Sequence, residues 1–319
     1  MKIPQYNLDG LGAEFKVTED LEKSIAKLLD VKHCIMTTSG TAAIFLALRA
    51  LGSKKVAVPN LTMFGTASAA ELAGCELFFV SNNEIPKEVD AYVHVSLNGR
   101  DCGITDVIEK NPNINIVEDA CQAFGSKYNE KYLGTFGKIG CFSFQAYKII
   151  SSGNGGCLVT NDDEIASNIK KLKNFGREAG GQDQHNSIGY NFKFTDIQAE
   201  FIFPQFKEIN ARVEKKQKMY KKYYEALKDI MMPHSGTPWA SDIYVDDRDK
   251  LISHLANKGI GTRKMYPLLT TQKPFANYEI FGDTTEDKSR SERGVWLPSS
   301  IDITDEEIDY VIESIKSFK

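Results

Sequence analysis

Residues 139–160, IGCFSFQAYKIISSGNGGCLVT, contain two apolar runs separated by a polar loop rich in glycine. The runs CFSFQAYK and GGCLVTND (to residue 162) have the length and the aromatic and β-branched content of buried strands, and SSGNGG is typical of the loop between them. This stretch therefore predicts two neighbouring strands with a ligand-accessible loop, because glycine lets a backbone pass close to a bound molecule.

Lys148 lies at the end of the first run. Partial burial would lower the pKa of its amine, and a neutral amine is the nucleophile that forms a Schiff base with an aldehyde. The alternative is an exposed lysine at a sheet edge, which is where most lysines lie. If the segment is extended, the neighbouring Tyr147 points to the opposite face, and we expect it in the core.

Short apolar runs alternate with helical patterns on both sides of this stretch. The predicted strands are residues 55–60, 75–81, 91–97 and 113–119, and the predicted helices include residues 18–30, 62–74 and 162–176. Residues 37–51 predict a turn that opens a buried helix. Strands that alternate with helices need crossover connections, which favour parallel pairing. The sequence predicts an α/β fold with a mostly parallel central sheet flanked by helices.

The composition is that of an ordinary globular protein. The chain has 319 residues, of which 42% are hydrophobic and 26% charged, and the net charge is −4. This charge argues against nucleic acid or an anionic membrane as the main partner. The sequence has neither a membrane-length apolar run nor an apolar leader, and its six cysteines lack metal-binding spacing. We expect a cytoplasmic protein with free thiols and no metal site.

The pattern changes after about residue 176. Residues 178–194 form a polar, glycine-bearing segment that predicts a loop, and Thr195-x-x-Gln198 is a capping box that opens a helix expected to continue to about residue 228. We expect a large domain over residues 1–205, a small C-terminal α/β domain over residues 206–319, and the 195–228 helix as the bridge. The polar segment 270–292 predicts a loop.

Two further features supply groups that bind ligands. Residues 38–42, TSGTA, join a strand to a helix, where free amides and the helix dipole favour an anion. Asp119 ends a predicted strand, at the edge where open α/β sheets bind ligands, and its carboxylate can bond a protonated ring nitrogen. Each could instead be an ordinary helix cap. Together with Lys148, they match the phosphate, the ring nitrogen and the aldehyde of pyridoxal phosphate.

The sequence resembles the DegT/DnrJ/StrS family of sugar aminotransferases, which have fold type I of the pyridoxal phosphate enzymes. The resemblance covers most of the chain and rests on SGTAAIFLAL, VPNLTMFGTASA, VEDACQAFG and FSFQAYKIISSGNGG. It implies transfer of an amino group from an amino acid, with L-glutamate as the expected donor, to a keto-sugar that we expect to be nucleotide-linked. Pyridoxal 5'-phosphate is the implied cofactor, with pyridoxamine 5'-phosphate as the intermediate form. The implied process is bacterial surface-polysaccharide or amino-sugar biosynthesis.

The resemblance also implies roles for individual positions. Lys148 matches the lysine that holds the cofactor and moves the proton, Asp119 matches the partner of the ring nitrogen, and Gln122 matches a residue packed near the ring. The implied phosphate-binding positions are Gly40, Thr41, Ala42 and Ser143. Asn191 matches an asparagine that reaches the phosphate from a partner subunit, so a homodimer with a shared active site is implied.

Several positions depart from the family pattern. Met63 stands where an aromatic residue usually stacks on the ring, and Lys193 replaces a common arginine but could still pair with a substrate carboxylate. His185, in the polar loop, is a further candidate for contact with substrate. Because the dehydratases of this family carry histidine in place of Lys148, transamination is the expected reaction. The alternatives are a pyridoxal phosphate-dependent dehydratase, another such enzyme acting on a smaller acceptor, and a non-catalytic regulatory homologue.

Overall fold

The computed structural model describes residues 16–177, 184–185 and 187–318. The helices are α1 (Lys16–Leu29), α2 (Gly40–Leu51), α3 (Phe64–Leu72), α4 (Ile104–Lys110), α5 (Asp163–Lys173), α6 (Asp196–Lys207), α7 (Ile209–Leu227), α8 (Arg248–Asn257), α9 (Thr285–Arg293) and α10 (Asp305–Lys316). The strands are β1 (His33–Thr37), β2 (Lys55–Pro59), β3 (Glu76–Val80), β4 (Ala91–Val95), β5 (Asn115–Asp119), β6 (Lys127–Tyr128), β7 (Lys131–Tyr132), β8 (Ile139–Ser143), β9 (Gly156–Thr160), β10 (Asp242–Tyr244), β11 (Arg263–Lys264), β12 (Ile280–Phe281) and β13 (Gly294–Trp296).

Eight of these strands form the central sheet, in the order β1-β9-β8-β5-β4-β2-β3-β12. The six neighbouring strands β8, β5, β4, β2, β3 and β12 pair in parallel. Strand β9 runs antiparallel to both of its neighbours, β1 and β8. The antiparallel pair β8–β9 is joined by the glycine-bearing loop noted in the sequence. The predicted class, an α/β fold with a mostly parallel sheet flanked by helices, is confirmed.

The sheet separates two layers of helices. Val56 and Val58 on β2 face the core shared with α2, α3 and α5, whereas Ala57 between them faces the core shared with α1, α4 and α6. This alternation follows from the two-residue period of a strand. Because both faces are covered, the central strands are apolar on both sides, which is why they appear in the sequence as short continuous apolar runs.

The prediction of one helix from residue 195 to about 228 is wrong, because this segment forms two helices, α6 and α7. Thr195 and Gln198 form the expected capping box at the start of α6, but the chain leaves helical geometry at Glu208 (φ −95°, ψ 8°) before α7 begins. Pro204, which cannot donate a backbone hydrogen bond, already lies inside α6. After the break, the first turns of α7 still pack in the same core as α6, and α7 joins a separate core from Met219 onward.

That separate core belongs to the C-terminal part of the chain. It combines α7, α8 and α10 with the three-stranded sheet β10-β13-β11. The segment between β11 and α9 instead returns to the central sheet, where β12 pairs with β3 and Phe275 joins the core. The division of the chain at residue 205 stays a prediction.

The prediction of a loop over residues 270–292 is wrong in part, because this segment contains β12 and most of α9. The helix α9, TEDKSRSER, contains no apolar residue and its only buried residue is Ser291, so it has no apolar periodicity by which the sequence could reveal it. Within the described ranges, no helix has both the length and the apolar content required to cross a membrane.

Candidate active site

A cavity of about 280 Å³ lies beside the carboxyl ends of β2, β4, β5 and β8, next to the first turn of α2. This edge is where open α/β sheets bind their ligands. The predicted site residues that line the cavity are Gly40, Thr41, Met63, Asp119, Gln122, Ser143 and Lys148. Positions spread over more than one hundred residues of sequence are therefore brought together around one space.

Asp119 is buried at the end of β5, and two donors orient its carboxylate. The Thr66 hydroxyl donates to Oδ2 at 2.7 Å, and the Cys121 amide donates to Oδ1 at 3.1 Å. The Thr62 hydroxyl lies 3.1 Å from that of Thr66. A carboxylate with both oxygens held in this way has a fixed direction but keeps further lone pairs for a ligand.

Lys148 lies after the end of β8, in a turn rather than in an extended strand. Its amide donates to the Gln145 carbonyl at 2.9 Å, and its Nζ lies 5.0 Å from the centroid of the Trp239 ring. Burial lowers the pKa of the Lys148 amine, and the positive charge of Arg263 acts in the same direction. The turn also leaves Tyr147 with 74% of its surface exposed, so the prediction that Tyr147 lies in the core is wrong.

The first turn of α2 forms one side of the cavity, where the sequence predicts phosphate binding. Ser39 caps the helix by accepting the Ala42 amide at 3.0 Å. The preceding amides, those of Gly40 and Thr41, have no carbonyl partner within the helix. A Cβ at Gly40 would lie 2.5 Å from Cys121 Sγ and 2.9 Å from Ser143 Cβ, so glycine is needed for α2 to approach β8. Ala42 is buried behind this turn.

Gln122 and Met63 lie on other sides of the cavity. The Gln122 Oε1 accepts the Asn98 amide at 2.7 Å, and its Nε2 donates to the Tyr266 hydroxyl at 3.0 Å, so both ends of the side-chain amide are held. Met63 is 43% exposed, and its sulfur accepts the Gly65 amide at 3.0 Å. Its packing against a cofactor ring stays a prediction.

Several residues of the cavity wall are not among the predicted site residues. Thr66 comes from α3, while Trp239, Arg263 and Tyr266 come from the C-terminal part of the chain. The Trp239 indole donates to the Tyr147 carbonyl at 2.8 Å, which fixes its ring near Lys148. Thr66 lies inside the quoted segment VPNLTMFGTASA, but nothing local indicates that its side chain reaches the cavity. The other three residues reach the cavity only because the C-terminal part packs against the sheet.

Asn191, Lys193 and His185 lie outside this cavity in the single chain. Asn191 is exposed and forms an isolated antiparallel bridge with Asn174. The Lys193 Nζ lies 3.3 Å from Asn174 Oδ1, and the exposed His185 donates through Nδ1 to the Phe175 carbonyl at 2.9 Å. The roles predicted for these three residues stay predictions, and that of Asn191 requires a second copy of the chain.

The comparison with family models settles the identity. A model described as the DegT/DnrJ/EryC1/StrS aminotransferase family matches residues 9–316. The chain belongs to this family. It is a pyridoxal phosphate-dependent aminotransferase, and the resemblance stated from the sequence motifs is confirmed.

Relatives of this aminotransferase cover most of its length. The GDP-perosamine synthase of Escherichia coli O157:H7 is 31% identical over an alignment that covers 94% of this chain and 89% of the relative. The UDP-N-acetyl-3-dehydro-alpha-D-glucosamine 3-aminotransferase of Acidithiobacillus ferrooxidans is 28% identical, covering 93% and 87%. The crystal structure of a DegT DnrJ EryC1 StrS aminotransferase from Brucella abortus superposes with a TM-score of 0.86 at 26% identity, covering 94% and 90%.

The donors around the cavity fit the cofactor of this aminotransferase. Free amides and hydroxyls at the start of α2, with the hydroxyl of Ser143, suit a phosphate. The oriented carboxylate of Asp119 suits a protonated ring nitrogen, and the partly buried amine of Lys148 suits an aldehyde carbon. One cavity thus offers a complementary group for each of the three reactive parts of pyridoxal phosphate.

Asn98 connects this site with the C-terminal part of the aminotransferase. Its amide holds Gln122, its Oδ1 accepts the Ala240 amide at 2.9 Å, and its carbonyl accepts His234 Nε2–H at 2.7 Å. The His234 Nδ1 accepts the Gly236 amide at 3.0 Å, so the hydrogen bonds require a neutral ring. Burial lowers the pKa of His234 to about 4.

We expect this histidine to make the protein sensitive to mild acid. The unfolded imidazole titrates near 6.5 and the folded one near 4, so between these values the unfolded chain binds the proton first and stability falls as the pH falls. The stability advantage of the wild type over His234→Gln should therefore shrink by about 3 kcal/mol between pH 7 and pH 4. Urea unfolding at several pH values measures this difference, and a difference that is independent of pH would contradict the assignment.

Proposed function

We propose that this aminotransferase moves the amino group of L-glutamate to a nucleotide-linked keto-sugar, in the cytoplasm, for the synthesis of amino sugars of bacterial surface polysaccharides. The observation that carries the proposal is the convergence of Lys148, Asp119 and the first turn of α2 on one cavity. The names of the relatives support the acceptor class, since one is a GDP-perosamine synthase and another a UDP-sugar aminotransferase.

Different side chains of the cavity have different roles in the proposed reaction. Bound pyridoxal phosphate supplies an electron sink for the negative charge that develops at the reacting carbon. The lowered pKa of Lys148 increases the neutral fraction of its amine, so Nζ can accept a proton from the donor carbon and later return one to the acceptor. Trp239 covers this amine on one side, which reduces its access to water.

The binding roles follow from the fixed geometry. The first turn of α2 would bind the phosphate and set the position of the ring. Asp119 would accept a hydrogen bond from the ring nitrogen in the direction that Thr66 and Cys121 impose. A carboxylate oriented before the ligand arrives needs little reorganisation during the reaction.

We further propose that the active enzyme is a homodimer in which Asn191 of the partner subunit reaches the phosphate. In its own chain, Asn191 is exposed and away from the cavity. On α6, Ile197 and Phe201 lie one turn apart with 59% and 69% of their surfaces exposed. Adjacent apolar side chains of this size are typical of a subunit interface.

The proposed reaction is tested in two half-reactions on the loaded enzyme. L-Glutamate should convert the visible absorption of the bound cofactor to that of the amine form and release an equal amount of 2-oxoglutarate. Subsequent addition of keto-sugars linked to GDP, UDP or dTDP should restore the first spectrum and yield an amino-sugar in equal amount. Deoxygenation of the sugar without an amine product would contradict the proposal and favour a dehydratase. An unchanged spectrum with every amino donor would favour a regulatory protein.

A further inference from the structure

Lys216, on α7, is a buried lysine whose charge is not balanced by a carboxylate. The residue is 5% exposed, and its Nζ donates to the carbonyl oxygens of Trp239 at 2.7 Å and Ser299 at 2.5 Å, which are neutral acceptors. Among the residues that the structure describes, it forms no ion pair. Burial lowers the pKa of this amine to about 8. An apolar side chain would avoid the free-energy cost of burying an ammonium group, so packing alone does not account for the lysine.

The two carbonyl groups that Lys216 binds belong to two chain segments that lie side by side. The Leu297 amide donates to the Ser241 carbonyl at 2.8 Å, and the Ser241 amide donates to the Ser299 hydroxyl at 2.9 Å. The ammonium group adds one more connection between these segments and attaches both of them to α7.

The peptide unit between Trp239 and Ala240 is held at both of its polar groups. Its carbonyl accepts a hydrogen bond from Lys216 at 2.7 Å, and its N–H donates to Asn98 Oδ1 at 2.9 Å. The carbonyl and the N–H of a planar trans peptide point in opposite directions. Two such bonds therefore fix the orientation of the peptide, and with it the direction in which the Trp239 side chain leaves the backbone.

The ring of Trp239 lies beside the amine of Lys148. Its centroid is 5.0 Å from Lys148 Nζ, its indole N–H donates to the Tyr147 carbonyl at 2.8 Å, and Trp296 meets it edge to face with centroids 5.0 Å apart. A ring in this place excludes water from one side of the amine, and such desolvation favours the neutral form. The position of the ring therefore affects how readily Lys148 accepts and returns a proton.

We propose that Lys216 is a positioning residue that holds the ring of Trp239 against Lys148. The inference rests on the proposed function, because it concerns the amine that moves the proton there. A charged donor makes shorter and stronger hydrogen bonds to a carbonyl than a neutral donor does. In this view the buried charge fixes the geometry of one peptide beside the active site and does not increase the net stability of the fold.

The first test observes the ring and requires no turnover. The chain has two tryptophans, so Trp296→Phe leaves Trp239 as the only fluorescent indole. In the holoenzyme with this background, we expect Lys216→Met to add a nanosecond component to the anisotropy decay of Trp239 and to increase its quenching by acrylamide, because the ring gains local motion. Lys216→Arg, for which a neighbouring cavity of about 930 Å³ leaves room, should suppress both changes.

The second test measures the effect on the reaction. At saturating L-glutamate, Lys216→Met should convert the bound cofactor about tenfold more slowly than wild type, since a small displacement beside a reacting group lowers the rate. The affinity for L-glutamate should be retained, and Lys216→Arg should recover most of the rate. Lys216→Gln, which keeps a neutral donor, should show a smaller loss of the same kind and supplies the measurement if Lys216→Met does not fold.

Two controls separate positioning from a general loss of stability. Leu227→Ala creates a cavity at the end of the same helix, in the core of the C-terminal part, so it should lower the midpoint of urea unfolding without slowing the conversion. In a Trp239→Leu background, Lys216→Met should cause no further loss of rate, because the ring through which it acts is absent.

The inference is wrong, and the proposed function stands, if Lys216→Met leaves both the motion of the ring and the conversion rate at their wild-type values. It is also wrong if Leu227→Ala slows the conversion equally, or if Lys216→Met slows it by the same factor with and without Trp239. If wild type reacts with no amino donor, the proposed function fails, and the anisotropy of Trp239 alone then decides whether Lys216 holds the ring.

Discussion

The Lys148→Ala variant is expected to lose amino transfer by on the order of 10⁴-fold, since one amine provides both the cofactor attachment and the proton transfer. In the structure, the Lys148 Nζ is the amine that lies in the cavity together with the Asp119 carboxylate. Burial already lowers its pKa, which raises the fraction of the neutral, reactive form at neutral pH. Alanine removes this group without adding bulk.

Chemical trapping identifies the attachment site independently of turnover. Borohydride reduction of the wild-type holoenzyme, followed by proteolysis and mass spectrometry, should place the cofactor mass on the peptide of residues 142–157, and the same treatment of Lys148→Ala should not. Lys148→Arg should also fail, because it restores the positive charge but not the nucleophile. Lys138→Ala, at the opposite end of β8, is the control that should behave as wild type. A label found on another lysine would refute the assignment of the site.

The Asp119→Asn variant is expected to show the second largest effect, a loss of kcat on the order of 10²- to 10³-fold. Asparagine has nearly the same shape, and its carbonyl can still accept the Cys121 amide while the Thr66 hydroxyl accepts from its nitrogen. The fold should therefore persist, and the loss should come from the missing negative charge opposite the ring nitrogen. Steady-state kinetics, the absorption spectrum of the bound cofactor and thermal unfolding measure these effects separately.

Thr66 allows the charge of Asp119 to be separated from its orientation. Thr66→Val removes the 2.7 Å hydrogen bond to Oδ2 but leaves the carboxylate, so we expect a smaller loss of about tenfold. Thr66→Ser, which keeps the hydroxyl, should recover most of the activity and the wild-type spectrum. If Asp119→Asn is fully active, or if Thr66→Val is as inactive as Asp119→Asn, the proposed division between charge and orientation is wrong.

Local patterns in the sequence were sufficient for the central architecture. The short apolar runs of the buried strands and the apolar stripes of the helices predict α/β layering, because each element must bury its apolar side against another. The capping box at Thr195 is equally local, since both of its hydrogen bonds join residues three positions apart. The turn after Ser143 was not predicted, because its geometry depends on a hydrogen bond between Ala146 and Gly153 across the loop.

Only some of the site residues could be predicted from the sequence. Lys148, Asp119 and the start of α2 could be predicted because each lies next to the end of a predicted strand. Open α/β sheets bind ligands at the edge where the carboxyl ends of their strands meet. The role of Thr66 could not be predicted, because its hydroxyl bonds to Asp119 across 53 positions of the sequence. The same holds for Trp239 and Arg263, which reach the cavity only when the C-terminal part packs against the sheet.

The sequence by itself thus determined most strands of the central sheet, the helices α1, α2, α3 and α5 and the chemical groups at the strand ends, because these follow from local patterns and from the side chain at each position. Only the tertiary structure decided which direction Asp119 faces and which ring lies beside Lys148. These features arise from contacts between residues that are distant along the chain, and such contacts depend on how the helices and sheets pack together.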